Sequence, residues 1–218
     1  MIKKVIFSLL TASATLSAAP QSIVFDFGGV MTMEPNREAV VHFLRTSFNL
    51  SAEEFEQVNQ EKRKAVKAGK TDAEFWLQYA KDKKVCLPKD WVHNFNTVMK
   101  NAIGVNPEMY ELVGQLKGKG IPIAMLSNID DRLARLIRDF GLYEPFDPCL
   151  LSCEIGLEKP DPKIYDVLLK KMNLPAKEIV FIDDRLENIE AAQKLGFDAI
   201  LFTSQEQLQK ELSKRGLL

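Results

Sequence analysis

The side chains best suited to chemistry in this sequence lie at the ends of predicted strands or just before a predicted helix. Asp26, Ser127 and the pair Asp183 and Asp184 each end a run of strand-forming residues, and Lys159 precedes a helix start by two residues. Asp26 is the candidate nucleophile. Adjacent carboxylates near a third would repel one another in a partly buried crevice, and a divalent cation removes that conflict. Oxygen ligands beside a phosphate indicate Mg²⁺.

Each of these residues also has a simpler interpretation. An aspartate followed by two glycines, as at Asp26, can merely close a strand into a turn. Ser127 can hold a phosphate oxygen beside the free N–H groups of the next helix, or it can form a Ser/Thr turn. Lys159 adds positive charge to an already electropositive helix end, which is unfavourable unless an anion binds there. Lys159 can also be an ordinary surface lysine.

The elements that must position these residues are predicted to be buried parallel strands. The strand before Asp26 has Ile, Val and Phe without a polar interruption, a pattern typical of strands buried on both faces. Similar runs cover residues 121–126, 178–182 and 198–202. Open α/β sheets bind ligands at the carboxyl ends of their strands. Gly28 and Gly29 let the chain turn sharply beside that edge.

A segment with helical periodicity separates the first two strands. Asn36 can cap its first helix, Ser51 and Thr71 each begin a capping box, and a fourth helix is predicted near Pro88. We predict an α-helical cap domain at residues 35–102 and a core domain at residues 22–34 and 103–218. Such an insert can close over the site and exclude water. The charged run 61–64 is predicted to be a solvated helix face.

Composition excludes several classes of protein. The 218 residues are 46% hydrophobic and 27% charged, as in ordinary globular proteins. A net charge of -1 offers no basic surface for nucleic acid. Three cysteines are too few for a disulfide framework or a zinc site. Cys149 and Cys153 lie in a segment predicted to be extended, roughly 13 Å apart and too far for a disulfide.

Residues 1–18 are predicted to be a signal peptide. Lys3 and Lys4 precede an apolar run too short to span a bilayer, and small residues follow it. Cleavage would make the protein periplasmic or secreted, without membrane insertion. If the segment is not a signal, the protein is cytoplasmic. An odd number of cysteines is unusual for an exported protein.

Taken together and in order, these motifs resemble the haloacid dehalogenase-like (HAD) hydrolase superfamily. The similarity rests on the phrases Phe-Asp-Phe-Gly-Gly-Val, Leu-Ser-Asn, Lys-Pro-Asp-Pro-Lys-Ile-Tyr and Phe-Ile-Asp-Asp-Arg-Leu-Glu-Asn. It covers residues 22–202, and the helical insert is similar to the subfamily with a small α-helical cap. Within the superfamily, the motif sequences are most similar to those of sugar-1-phosphate phosphatase-like proteins and of the amino-terminal phosphatase domains of epoxide hydrolases.

The resemblance implies a fold and a set of roles. The fold is a three-layer Rossmann-like α/β core with a parallel sheet of order 3-2-1-4-5. Asp26 attacks phosphorus and forms an aspartyl-phosphate that water hydrolyses. The resemblance also implies that Ser127, Asn128 and Lys159 bind the phosphoryl group and the substrate. It implies that Asp26, Asp184 and the Gly28 carbonyl bind Mg²⁺, with support from Asp183. Asn188 is implied to orient the last motif.

The sequence departs from the family pattern at Gly28. Family phosphatases usually carry an aspartate there, which protonates the leaving alcohol and later activates water. Such a general acid typically contributes ~10²–10⁴ in rate. The leading hypothesis is a Mg²⁺-dependent phosphomonoesterase acting on a small phosphorylated metabolite, such as a sugar phosphate.

Two other functions compete with that hypothesis. The glycine at position 28 favours a catalytically weak or inactive protein that binds a phosphorylated ligand. A 2-haloacid dehalogenase would use the same nucleophile without a metal, which would leave Asp183 and Asp184 unexplained. The sequence gives no oligomeric state.

Overall fold

A computed structural model describes residues 21–218 and contains one parallel sheet of five strands. The strands are β1 (Ser22–Phe25), β2 (Ile123–Ser127), β3 (Cys149–Leu151), β4 (Ile179–Asp183) and β5 (Asp198–Leu201). Their spatial order is β3-β2-β1-β4-β5, with every neighbouring pair parallel. The predicted α/β fold and strand order are therefore confirmed.

The register of the sheet brings the motif residues to one edge. Phe25, the last residue of β1, pairs with Met125 of β2 on one side and with Ile182 of β4 on the other. The Asp26 N–H donates to the Ile182 carbonyl at 2.9 Å, which extends the ladder by one residue. Asp26 is thus level with Asp183, and Ser127 lies one residue further along β2.

Helices cover both faces of this sheet. The core helices are α5 (Pro107–Gly118), α6 (Asp131–Asp139), the short α7 (Ser152–Ile155), α8 (Pro162–Met172), α9 (Leu186–Lys194) and α10 (Gln205–Lys214). Ile23 and Phe25 pack with α5, α6 and α10 on one face, and Val24 packs with α8 and α9 on the other. Because β1 is buried on both faces, its sequence is apolar without alternation.

Four further helices follow the loop after β1. These cap helices are α1 (Arg37–Phe48), α2 (Ala52–Lys67), α3 (Asp72–Lys83) and α4 (Trp91–Ala102). Both predicted capping boxes are present, at Ser51 and at Thr71. The cap helices share an aromatic core, and Leu136 of α6 and Phe140, the residue after α6, pack against it. The cap helices therefore rest on the core through α6.

The two segments that join cap and core run side by side. The Met33 N–H donates to the Gly104 carbonyl at 2.6 Å, and the Asn106 N–H donates to the Met31 carbonyl at 3.0 Å. Gly104 has φ +73, and a Cβ there would lie 2.7 Å from the Met33 carbonyl oxygen. A glycine is therefore required where the chain returns from the cap.

Some local predictions need correction. The fourth cap helix begins at Trp91, after a turn in which the Trp91 N–H donates to the Pro88 carbonyl. The segment from Cys149 to Cys153 is only partly extended, since Cys153 lies in α7. All three cysteines are free.

Two other predictions stay open. The signal peptide predicted at residues 1–18 lies outside the described residues. The division into residues 22–34, 35–102 and 103–218 remains a prediction. Within residues 21–218, none of the helices combines the length and apolar character needed to cross a membrane.

Candidate active site

Three carboxylates converge at the carboxyl end of β1 and β4. Oxygen atoms of Asp26, Asp183 and Asp184 all lie within 4.8 Å of one another. Asp26 and Asp183 are buried and Asp184 is exposed. The sequence predicted this cluster from strand ends alone.

Lys159 lies between two of these carboxylates. Its Nζ donates to Asp26 Oδ1 at 2.7 Å and to Asp183 Oδ2 at 2.6 Å, and its side chain is only 1% exposed. It is therefore part of the site and not a surface lysine. Its charge partly offsets two buried negative charges, whose burial without a partner would be highly unfavourable.

Asn128 positions this lysine through a two-way contact. The Asn128 side chain donates to the Lys159 carbonyl at 2.8 Å, and the Lys159 N–H donates to Asn128 Oδ1 at 2.9 Å. Both ends of the Asn128 amide are thus bonded to the Lys159 backbone. From the resemblance, Asn128 was expected to bind substrate. Its contact with Lys159 was not predicted, because the two residues lie 31 positions apart in the sequence.

Asp183 is held by several donors. Asn188 Nδ2 donates to both of its carboxylate oxygens at 2.9 and 3.0 Å, and the Arg185 N–H donates to Oδ1 at 2.9 Å. These bonds fix the Asp183 carboxylate that in turn holds Lys159. Asn188 Oδ1 is buried and has no hydrogen-bond partner among the described residues.

The electrostatics of the cluster favour a bound cation. Burial raises the pKa of Asp26 to about 6, with a further contribution from the Asp183 charge and an opposing one from Lys159. Burial and the neighbouring Asp183 also raise the pKa of Asp184. One lysine therefore does not fully compensate three carboxylates. The carboxylate oxygens outnumber the positive charges beside them, and Asn188 Oδ1 has no hydrogen-bond partner in the described part of the chain. Oxygen atoms of this kind are the ligands that a hard divalent cation prefers.

The two glycines after Asp26 have different surroundings. Gly29 has φ +73, and a Cβ there would lie 2.2 Å from Asp184 Oδ2, so any side chain would displace that carboxylate. At Gly28 a Cβ would meet nothing within 4 Å, and the backbone is outside the left-handed region. The position of the missing acid is therefore open space that an ordinary residue could occupy.

Two cavities meet at this site. The inner cavity has a volume of about 250 Å³ and is lined by Asp26, Gly28, Asn128, Lys159, Asp184, Arg185 and Asn188. The cap cavity, about 500 Å³, lies between the cap helices and α6 and is lined in part by Gly28, Ser127 and Asn128. Gly28 and Asn128 form a wall common to both. Ser127 is buried at the end of β2 and faces the cap cavity.

Sequence reasoning missed a charged cluster at the cap cavity. Lys62 is buried and its Nζ lies 2.7 Å from Asp72 Oδ1, so the prediction that run 61–64 is wholly solvated is wrong at this residue. Asp72 also accepts from Arg132 of α6 at 3.1 Å. These three residues come from three helices, and no local pattern in the sequence links them.

Comparisons with known proteins place these motifs in a family. Residues 20–196 match the protein family described as haloacid dehalogenase-like hydrolase. The sesquiterpene phosphatase astK of Aspergillus oryzae is 26% identical over 185 residues, which cover 84% of this chain and 90% of that protein. The bifunctional epoxide hydrolase 2 of Mus musculus is 30% identical over 147 residues, which cover 62% of this chain but only 26% of that protein. Two (S)-2-haloacid dehalogenases are also relatives.

A solved structure gives the same fold. It is a HAD family enzyme from Bacteroides thetaiotaomicron in complex with magnesium and inorganic phosphate. The TM-score is 0.52 at 20% identity, and the match covers 87% of this chain and 98% of that one. A likeness at this level of identity concerns the fold alone.

Proposed function

The chain belongs to the haloacid dehalogenase-like hydrolase family, and on that premise we propose that it is a Mg²⁺-dependent phosphomonoesterase that acts through an aspartyl-phosphate on Asp26. The observation that carries the proposal is the placement of Lys159 between Asp26 and Asp183 at the inner cavity. A nucleophile, a fixed cation and a spare carboxylate then face one small polar space. The phosphatase among the relatives supports phosphoester chemistry.

We propose separate tasks for the two oxygens of Asp26. Oδ1 accepts from Lys159, whereas Oδ2 is outside this ion pair. Oδ2 is the oxygen proposed to attack phosphorus, forming an O–P bond as the bond from phosphorus to the ester oxygen breaks. Lys159 opposes the rise that burial causes in the pKa of Asp26, and so favours the ionised carboxylate that a nucleophile requires.

The second half of the reaction returns the enzyme to its starting state. Water attacks the phosphorus of the aspartyl-phosphate, and inorganic phosphate leaves as the Asp26 carboxylate is restored. Lys159 and the Ser127 hydroxyl are proposed to hold the phosphoryl oxygens, Lys159 by charge and Ser127 from the cap-cavity side. A fixed donor of this kind is most effective where water is excluded.

The proposed Mg²⁺ ligands are Asp26, Asp184 and the backbone carbonyl of Gly28, with Asp183 as support. When bound, the ion supplies positive charge that offsets the carboxylates and the phosphoryl oxygens. The substitution of aspartate by Gly28 leaves that carbonyl intact. It removes only the side chain that would protonate the leaving oxygen, which then takes its proton from solvent.

A non-catalytic role is the second candidate, and Gly28 is the observation that favours it. A protein without the general acid could bind a phosphorylated ligand and turn it over slowly or not at all. The dehalogenase alternative shares Asp26 but needs no cation, and it gives no use for Asp184. Within the proposed class of small phosphorylated substrates, the similarity of the motif sequences to sugar-1-phosphate phosphatase-like proteins suggests a sugar phosphate.

The proposal is tested by phosphate release from a panel of phosphate esters with and without Mg²⁺. We expect turnover that requires Mg²⁺ and is lost in Asp26→Asn, a nearly isosteric change. Circular dichroism and thermal unfolding serve to show that Asp26→Asn remains folded. Release of halide from 2-haloacids, or wild-type turnover in folded Asp26→Asn, would reject the mechanism.

A further inference from the structure

We infer that the organic part of the substrate is a hydrocarbon body that binds in the cap cavity, not a sugar. The inference rests on the proposed phosphomonoesterase function and specifies its substrate class. Two observations support it. They are the residues that line the cap cavity and the position of that cavity beside the inner cavity, which contains Asp26.

The walls of the cap cavity combine a group of apolar side chains with polar and charged ones. They include residues of all four cap helices and of α6, and the main apolar contributors are Val41, Leu44, Phe55, Phe95, Met99 and Leu136. The cavity volume of about 500 Å³ is within the range that encloses drug-sized ligands. Burying a hydrocarbon against these walls removes apolar surface from water on both partners.

The apolar surface continues to the outside. Met33 and Leu133 line the same cavity and are 57% and 37% exposed, which makes them two of the few large hydrophobic side chains exposed on the described part of the protein. Clustered exposed hydrophobic side chains typically mark a binding surface. A chain longer than the enclosed volume would therefore still find apolar contacts at the mouth.

The cap cavity adjoins the inner cavity that contains the reacting atoms. Gly28 and Asn128 line both cavities, and no atom lies within 4 Å of where a Cβ at Gly28 would be. A phosphoryl group beside Asp26 can thus extend its ester substituent past Gly28 into the cap cavity.

Several polar groups of the cap cavity already bond to other groups of the protein. Lys62 and Arg132 both bond to Asp72, Thr32 Oγ1 accepts from the Gly29 N–H, and Asp130 caps α6. Among the other polar side chains, Arg37, Asn59 and Arg63 are exposed or half-exposed, and Ser127 and Asn128 lie at the carboxyl end of β2. A sugar buried among the apolar side chains, away from these polar groups, would have hydroxyl groups without partners, and an unsatisfied buried hydroxyl is unfavourable. A hydrocarbon has no hydroxyl groups that need hydrogen-bond partners.

The experiment compares n-butyl, n-hexyl, n-octyl and n-decyl phosphate with glucose 6-phosphate, below the micelle concentration of each ester. The alkyl leaving groups have nearly equal acidity, so chain length varies only the apolar contact. We expect kcat/KM to rise about fourfold per added methylene until the cavity is filled, the fold-change that corresponds to ~0.8 kcal/mol per buried methylene. Glucose 6-phosphate should react more slowly than octyl phosphate.

A matched pair of variants locates the effect. Leu133→Gln places an amide at the cavity mouth and should reduce the dependence on chain length. Leu77→Gln makes the same change on α3, where Leu77 is 43% exposed and does not line the cap cavity. It should retain the wild-type dependence. The same loss in both variants would contradict the placement of the hydrocarbon.

Failure of the inference and failure of the proposed function give different results. If p-nitrophenyl phosphate is hydrolysed but kcat/KM is independent of alkyl length, or glucose 6-phosphate is preferred, the hydrocarbon site is wrong and the phosphatase stands. If no ester is hydrolysed, the proposed function is wrong. Calorimetric titration of the wild-type protein with butyl and decyl phosphonate then decides the inference: tighter binding of decyl phosphonate supports it, and equal affinity rejects it.

Discussion

Gly28 is the residue at which this chain departs most clearly from the phosphatase pattern. Its backbone can accept an L-residue and the space around it is open, in contrast to Gly29, where a side chain would collide with Asp184. The loss of the general acid is therefore reversible in principle without rebuilding the loop.

Gly28→Asp should increase the rate for esters with poor leaving groups. The new carboxyl group would protonate the departing oxygen, an effect typically worth ~10²–10⁴ in rate. Alkyl phosphates should gain most and p-nitrophenyl phosphate least, because its leaving group needs no proton. The measurement is a plot of log(kcat/KM) against leaving-group pKa.

Gly28→Asn is the control for that variant, since it has the same size and cannot act as an acid. We expect no gain from it. A wild-type rate that is independent of leaving-group pKa while phosphorylation limits turnover would mean that another residue donates the proton. Glu34, a few residues after the loop, is the first residue to test.

Asp184→Ala should weaken the proposed Mg²⁺ site. A ligand that binds only the folded state stabilises it by ~2.7 kcal/mol at a hundred times its Kd. Adding Mg²⁺ should therefore raise the Tm of the wild type far more than that of Asp184→Ala. Equal Tm shifts in the two proteins would remove Asp184 from the proposed metal site.

At the residue scale the sequence predicted which side chains lie at one edge of the sheet, and their roles stay predictions. Asp26, Ser127 and Asp183 were found because strand ends of a parallel sheet meet at one edge, and Lys159 because two prolines fix its position before α8. Arg132, Lys62 and the clamp between Asn128 and Lys159 were missed. They are contacts between residues 10 to 60 positions apart, which depend on how whole helices pack.

At the scale of elements, the contact between cap and core combines apolar packing with one ion pair. Arg132 of α6 bonds to Asp72 of α3, and it is the only side-chain hydrogen bond between the cap helices and the core helices or strands in the described part of the chain. Asp72 is also the partner of the buried Lys62. Asp72 therefore offsets the charge of Lys62 within the cap and links the cap to the core through Arg132.

Asp72→Ala should destabilise the protein far more than Arg132→Ala. Removing Asp72 leaves the Lys62 ammonium buried without a partner, and breaking a buried pair in this way typically costs ~3–5 kcal/mol. Arg132 has a side chain that is 46% exposed, so its loss should cost about 0–1 kcal/mol. The free energy of unfolding in urea measures both.

Replacing Lys62 as well provides the control. Lys62→Met in the Asp72→Ala background removes the unpaired charge and should recover most of the lost stability. If the double variant is no more stable than Asp72→Ala, the unpaired lysine is not the cause of the destabilisation.

Elements with strong local signals were predicted well. The capping boxes located the starts of α2 and α3, and uninterrupted apolar runs located β1, β2 and β4. The segment that contains the three-residue strand β3 was predicted only to be extended, because it is too short for its periodicity to identify a strand. The start of α4 was placed too early because Pro88 begins a turn and not the helix.

At the scale of the whole molecule, the family resemblance predicted more than the residue patterns did. Strand order depends on how the crossovers are wound, which local patterns do not encode, and the order 3-2-1-4-5 came from the four motifs together. Both that order and membership of the family are confirmed. Export and the exact domain boundaries stay predictions.

The stability of the whole molecule should fall at alkaline pH. Burial raises the pKa of the Cys149 thiol to about 12 from an ordinary value near 9, and it raises the pKa of Tyr110, Tyr143 and Tyr165. Above pH 9 the unfolded chain loses these protons first, so it binds fewer protons than the folded state and stability decreases. The buried Lys62 has a lowered pKa and acts in the opposite direction, but it is one group against four.

Urea unfolding between pH 8 and 11 measures this effect. Each group that ionises only in the unfolded state lowers stability by at most about 1.4 kcal/mol per pH unit. Cys149→Val should reduce the slope above pH 9, whereas Cys86→Val, at an exposed cysteine, should leave it unchanged. A slope that is flat or rises with pH in the wild type would contradict the assignment of buried neutral acids.

The central claim is that a phosphoryl group is transferred to Asp26, and reductive trapping tests it most directly. Borohydride reduces an aspartyl-phosphate to homoserine, which mass spectrometry of the peptide containing Asp26 can locate. During turnover of p-nitrophenyl phosphate with Mg²⁺, we predict homoserine at position 26, and none without substrate or in Asp26→Asn. Continued phosphate release with an unmodified Asp26, or homoserine at Asp183 or Asp184 instead, would contradict the claim.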